Sequence, residues 1–207
     1  MCTRCMWLDL SKEDYIHYHD QEWGVPVLDD RTLFEFITLE SAQAGLSWYT
    51  ILKKRAAYKT AFAQFDVKLV AAMGEQDLIK LMNNTGIVRN EKKIQATINN
   101  AKAFIEIQRS HGSFASYQWQ FVNYFPIVNQ IMSKIDYHSQ SELSVAFAKD
   151  LKQRGFKFLG PTTVYAHMQA CGMINDHDNR CFRKQQIIDS YKNIDFAAIK
   201  SRGCLSL

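Results

Sequence analysis

Apolar residues recur along this chain at helical spacing and almost nowhere at the two-residue spacing of a strand. Only three prolines interrupt it, Pro26, Pro126 and Pro161. The pattern predicts an all-α fold with short connections. Ser11 with Asp14 reads as a capping box opening a helix through Tyr15, Tyr18 and His19. Asp29 or Asp30 starts a second helix, with Leu33, Phe36, Ile37 and Ala44 on one face and Gly45 ending it. Ser47 caps a third through Trp48, Ile51, Leu52 and Tyr58. Further helices are expected over about 66–73, 75–84, 90–110, 114–124, 141–154, 161–171 and 185–200. A four-helix bundle would use fewer and longer helices.

Length and composition narrow the class. The chain has 207 residues, 47% hydrophobic, 22% charged and 13% aromatic, too aromatic for a disordered chain. No apolar run approaches the roughly 18 residues of a membrane helix, and the acidic, Trp-containing start does not read as a signal peptide. A cytoplasmic location is expected. The net charge of +4 permits a nucleic-acid partner without requiring one. Five cysteines without a secretion signal argue against a disulfide framework and favour metal ligation.

Four groups of residues carry chemistry. Glu40 follows Ile37 by three residues, Phe36 by four and Leu33 by seven, which places its carboxylate on the apolar face of its own helix. The plainer reading is a helix-edge Glu that reaches solvent or an Arg. Gln43 and Trp48 nearby favour a site for a flat heteroaromatic ligand. Tyr15, Tyr18 and His19 share a helical face, with Trp7 upstream and Trp23 and Gly24 closing the element. This stripe suits either a docked aromatic face or a base-stacking pocket.

Cys2-x-x-Cys5 and His177-x-x-x-Cys181 both have ligand spacing. They allow a Cys3His zinc site, or a Cys2His2 site of Cys5, His19, His177 and Cys181. Either would join the N-terminal segment to the C-terminal one. Last, a basic helix runs into Gly155, an apolar hairpin follows from Phe156 to Leu159, and Gly160–Pro161 open another helix. Such a unit aims backbone N–H groups at a phosphate, with Lys149, Lys152, Arg154 and Lys157 adding charge.

Taken together, RCMW (4–7), YIHYHDQEWGVP (15–26), LFEFITLESAQAGLSWYTILKKR (33–55), GIVRNEKKIQA (86–96) and RGFKFLGPTTVYAHMQACGMINDH (154–177) resemble the DNA-3-methyladenine glycosylase I family, within the helix-hairpin-helix glycosylases. The resemblance implies a glycosylase domain over 1–182 and an extension of unknown role over 183–207, which contains Cys204. It implies structural zinc on Cys5, His19, His177 and Cys181, leaving Cys2 out. It further implies base recognition by Glu40, stacking on Trp48, pocket walls from Trp7, Tyr15, Tyr18 and Trp23 with Gln43 nearby, and DNA-backbone contacts by Lys152, Arg154, Gly155, Lys157, Gly160, Thr162 and Thr163. The implied activity is release of 3-methyladenine from double-stranded DNA by a monomer. His167 stands where the family pattern favours an aromatic or apolar residue. Asp176 sits where other superfamily members place a catalytic Asp; orienting His177 or capping a turn is the expectation here. Lyase relatives use a Lys on the second hairpin helix, and none lies between Gly160 and Gly172.

Overall fold

The computed structural model describes residues 3–204. Twelve α-helices make up most of it: α1 (Glu13–Gln21), α2 (Asp30–Gln43), α3 (Trp48–Leu52), α4 (Arg55–Ala61), α5 (Val67–Ala71), α6 (Glu75–Asn83), α7 (Glu91–His111), α8 (Phe114–Trp119), α9 (Glu142–Gln153), α10 (Pro161–Ala170), α11 (Phe182–Ser190) and α12 (Phe196–Cys204). Two strands of two residues, β1 (Ile127–Val128) and β2 (Ile174–Asn175), pair in parallel with Ile127 opposite Ile174. Sequence periodicity missed them, because two residues are too short to alternate.

Helix α2 is the centre of the molecule. It packs on α3, α7, α8 and α10, and every residue from Leu33 to Ala42 except Glu35 is buried. It therefore buries more than the one face expected of it, and Ala44 is exposed beyond its end. Asp29 is its cap, accepting from the Thr32 N–H at 2.9 Å. Asp30 reaches across the chain instead, accepting from the Phe114 and Ala115 N–H groups at 2.9 Å and so capping α8.

Three local expectations fail for identifiable reasons. Ser11 does not cap α1: its amide and hydroxyl both bond Asp9, at 3.0 and 2.7 Å, and the cap position falls to Lys12, whose side chain makes no capping bond. Ser47 does cap α3, accepting from Thr50 N–H, but the helix breaks at Lys53–Lys54 and resumes as α4. The Lys54 ammonium there turns to the carbonyls of Thr85 and Gly86. The single helix expected over 185–200 is two, because Asp195 starts α12 afresh by accepting from Ala198 N–H at 2.9 Å. Helix α12 packs on α8 through Phe196, whose ring lies 5.3 Å from that of Trp119, and Ser116 donates to Ile199 O at 2.7 Å.

Candidate active site

All seven residues expected around a base line one cavity of about 350 Å³: Trp7, Tyr15, Tyr18, Trp23, Glu40, Gln43 and Trp48. Helix α1 supplies the two tyrosines three residues apart, α2 the carboxylate and amide, and α3 the indole of Trp48. The rings form a continuous box. Trp7 meets Trp23 edge-on at 4.9 Å and Tyr15 at 5.3 Å, and Tyr18 meets Trp48 at 5.3 Å. Electron-rich faces of this kind attract a cation.

Glu40 is 3% exposed, and its Oε2 has no hydrogen-bond partner among the described residues. The plainer reading, a helix-edge Glu reaching solvent or an Arg, does not hold, because the side chain is buried and forms no ion pair among the described residues. Arg55 bonds Glu35 at 2.6 Å and Glu22 at 2.5 Å. Burial alone pushes the Glu40 carboxyl up to about 8. The indole N–H groups of Trp7 and Trp48 are likewise buried without partners. Residues that line the cavity thus carry two unpaired donors and one unpaired acceptor. A buried polar atom left unpaired has a cost of about 1–3 kcal/mol, so this arrangement suits a ligand that supplies the missing partners.

Three further lining residues, Tyr137, Ala166 and Gln169, escaped sequence reasoning. Gln169 lies on α10 inside the family-like stretch, three residues after Ala166, so their shared helical face was a usable signal. Tyr137 lies outside every matched stretch; its hydroxyl donates to Asp178. Asp176 does not orient His177. It is buried and accepts from Asn129 Nδ2 at 2.7 Å, the Tyr165 hydroxyl at 2.8 Å and Gln169 Nε2 at 2.7 Å. Three donors already occupy this carboxylate, which fixes the Gln169 amide in the cavity wall. His167 points elsewhere: Nε2 donates to Gln118 Oε1 at 2.9 Å, and burial lowers its pKa to about 3, so it is a neutral core residue.

Beside the cavity, the ligand atoms of Cys5, His19, His177 and Cys181 lie within 4.8 Å of one another, all buried. Cys2 lies outside the described residues. Cys5 Sγ is 3.3 Å from His177 Nδ1, Cys181 Sγ 3.5 Å from the same nitrogen, and Cys181 Sγ 3.6 Å from His19 Nε2. A tetrahedron with bonds of roughly 2.1–2.3 Å has edges of about 3.4–3.8 Å, so the set fits a metal ion. The other ring nitrogens are already engaged: His19 Nδ1 with Asp20 at 2.7 Å and His177 Nε2 with Trp23 O at 3.1 Å. That leaves the inward nitrogens as ligands. Gly24, at φ +80°, allows this approach; a Cβ there would come 3.0 Å from His177 Nε2. The Asp178 N–H donates to Cys5 Sγ at 3.4 Å, and Met6 N–H to Asp178 Oδ2 at 2.7 Å, tying the N-terminal segment to the stretch that carries His177.

The turn between α9 and α10 has Gly155 at φ +91°, a conformation that favours glycine, and Phe158 at φ +57°. Sequence reasoning missed its brace. Asn99 donates to Gly155 O at 2.7 Å, and Asn100 both donates to Lys157 O and accepts from Lys157 N–H. Gly160 offers no capping side chain to α10, whose first residue is Pro161. Lys152, Lys157, Gly160 and Thr162 are exposed, and Thr163 is partly so. Arg154 is exposed too, but its Nε bonds Asp150 at 2.6 Å and its guanidinium lies 4.9 Å from the Tyr117 ring centre.

Comparison with known proteins fits this geometry. The chain is 46% identical over 181 residues to the DNA-3-methyladenine glycosylase of Haemophilus influenzae, covering 87% of this chain and 97% of that one. It is 47% identical over 178 residues to DNA-3-methyladenine glycosylase 1 of Escherichia coli, covering 86% and 95%. A crystal structure of 3-methyladenine DNA glycosylase I superposes with a TM-score of 0.84 at 49% identity, covering 87% of this chain and 98% of that one. A variant of 3-methyladenine DNA glycosylase I in complex with 3-methyladenine gives 0.85 at 39% identity, covering 87% and 97%. The methyladenine glycosylase family model matches residues 7–184, and the chain belongs to that family.

Proposed function

We propose that this protein hydrolyses the N-glycosidic bond to 3-methyladenine in alkylated double-stranded DNA. The observation that carries this reading is Glu40, a buried carboxylate without a partner inside a box of electron-rich rings. A pure backbone-binding module has no use for such a group. Methylation at N3 makes the adenine cationic and weakens its bond to the sugar. When that bond breaks, the electron pair passes to the purine, which leaves neutral, so no strong general acid is needed. A water oxygen bonds to the sugar carbon and its proton passes to solvent.

Glu40 recognises the cationic base and stabilises its charge, with a charge-assisted hydrogen bond where geometry allows. Trp48 stacks on the base; such stacking returns roughly 1–3 kcal/mol against the few kcal/mol of extruding it. Trp7, Tyr15, Tyr18 and Trp23 supply the remaining walls, with Gln43 nearby. The α9–α10 turn grips the DNA backbone through Gly155, Gly160, Thr162, Thr163, Lys152 and Lys157, with Arg154 sharing its charge between phosphate and Asp150. Cys5, His19, His177 and Cys181 hold one structural zinc per chain. Four protein ligands leave no open position for a catalytic water. The absence of Lys between Gly160 and Gly172 makes the enzyme monofunctional. On the same reading, 1–182 is the glycosylase domain and 183–207 an extension of unknown role, and the enzyme acts as a cytoplasmic monomer.

Fluorescence titration tests the pocket. Three of the four tryptophans, Trp7, Trp23 and Trp48, line the cavity, while Trp119 is in the core. Free 3-methyladenine should quench tryptophan emission saturably, and more weakly in Trp48→Ala. Emission that does not respond would contradict the assignment.

A further inference from the structure

Lys93 is the third residue of α7 and is 9% exposed. Its Nζ donates to Ala42 O at 2.9 Å and to Ala44 O at 2.6 Å. Both carbonyls belong to the C-terminal end of α2, where a helix leaves its last acceptors unpaired. Helix α2 carries no basic residue in its own last turn. The ammonium from α7 therefore satisfies these acceptors and complements the negative end of the helix dipole. Burying an ammonium has a cost, and burial draws the Lys93 pKa down. Its hydrogen-bond partners are carbonyls, not a carboxylate.

The segment held in this way is the one that joins the cavity's parts. Glu40 lies two residues before Ala42, and Gln43 lies between the two bonded carbonyls. The turn over 44–47 is exposed, with Leu46 N–H donating to Gln43 O at 2.6 Å. Gly45 stands at φ +79° with nothing within 4 Å of an added Cβ, so packing does not hold the turn at that point. Trp48 begins α3 directly after the Ser47 cap. The base of Lys93 is itself fixed, since its N–H donates to the Asn90 cap at 3.2 Å.

We propose that Lys93 is a positioning residue that fixes the α2–α3 turn, so that Glu40, Gln43 and Trp48 close on the base as one unit. Its consequence for excision rests on the proposed function; its consequence for the turn does not. The test pairs amide hydrogen exchange with single-turnover release of 3-methyladenine, in metal-loaded wild type, Lys93→Met, Lys93→Gln and Lys93→Arg. In Lys93→Met, exchange over 45–48 should rise by about tenfold or more beyond any global change. Excision should fall by at least about tenfold at saturating enzyme, with affinity for undamaged duplex within about twofold of wild type. Lys93→Arg keeps the charge and should recover most of both losses. If Lys93→Met does not fold, Lys93→Gln carries the same reading. Exchange over 45–48 that matches wild type, or an excision loss that only tracks the folded fraction, would overturn the proposal. A wild type that releases no 3-methyladenine would sink the functional reading instead, while the exchange data would still decide the role of Lys93.

Discussion

Glu40→Gln should cut single-turnover release of 3-methyladenine by tenfold to a thousandfold, on the order of the effect of removing one charge-stabilising group. The substrate's bond is already weak, which keeps the loss below total. Binding to undamaged duplex should be unchanged, since the α9–α10 turn is untouched. The same variant should be more stable than wild type, increasingly so with pH. The Glu40 carboxyl is raised in the folded protein from 4.5 to about 8 by burial. A raised carboxyl contributes its stability below the unfolded pKa and loses it as pH rises through the folded one. The gap in favour of Gln should therefore widen between pH 4.5 and 8, towards an upper bound of roughly 5 kcal/mol. Denaturant unfolding of both proteins at pH 5 and pH 8.5 measures it. Asp176→Asn, whose carboxylate holds Gln169 and does not face an empty acceptor position, should cost less excision at matched metal content. A severe loss there with Glu40→Gln near wild type would reverse the two roles.

Loss of the metal should have the largest effect on stability. The cluster joins residues 5 and 19 to residues 177 and 181, so it closes nearly the whole chain. Cys5→Ser and Cys181→Ser should each abolish stoichiometric zinc and lower the Tm by roughly 10 °C, the shift that about 3–4 kcal/mol produces in a domain of this size. Chelation of the wild type should do the same. Cys2→Ser should keep the metal. Elemental analysis alongside calorimetry decides the ligand set: zinc lost on Cys2→Ser but kept on His19→Ala would show the wrong four. Excision measured on residual folded, metal-free protein should be impaired only as far as Trp7 and Trp23, which pack around His19 and His177, lose their places.

What was legible in the sequence follows from the range of the physics involved. Glu40 could be read because burial of one helical face is a local property, set by offsets of three, four and seven residues. Ser47 and Asp29 could be read because capping acts within three residues. The role of Asp30 could not, since it caps a helix more than eighty residues away. Tyr137 and the Asn99–Asn100 brace are likewise contacts between distant segments with no periodic trace. The Asp176 expectation failed because adjacency to His177 in sequence says nothing of where a loop carboxylate points; three donors from other segments take it. Arg154 reads as a free cation in a basic run, but the Asp four residues before it is a helical neighbour, and that pairing was legible.

In the proposed function, an uncompensated carboxylate in an aromatic cavity serves to release a cationic methylated adenine. Incubation of the zinc-loaded wild type with alkylated duplex DNA, followed by chromatography of the freed bases, tests it most directly. Abundant free 3-methyladenine with little 7-methylguanine is the expected result. Tight DNA binding with no base released would contradict it and leave a helical DNA-binding module in its place.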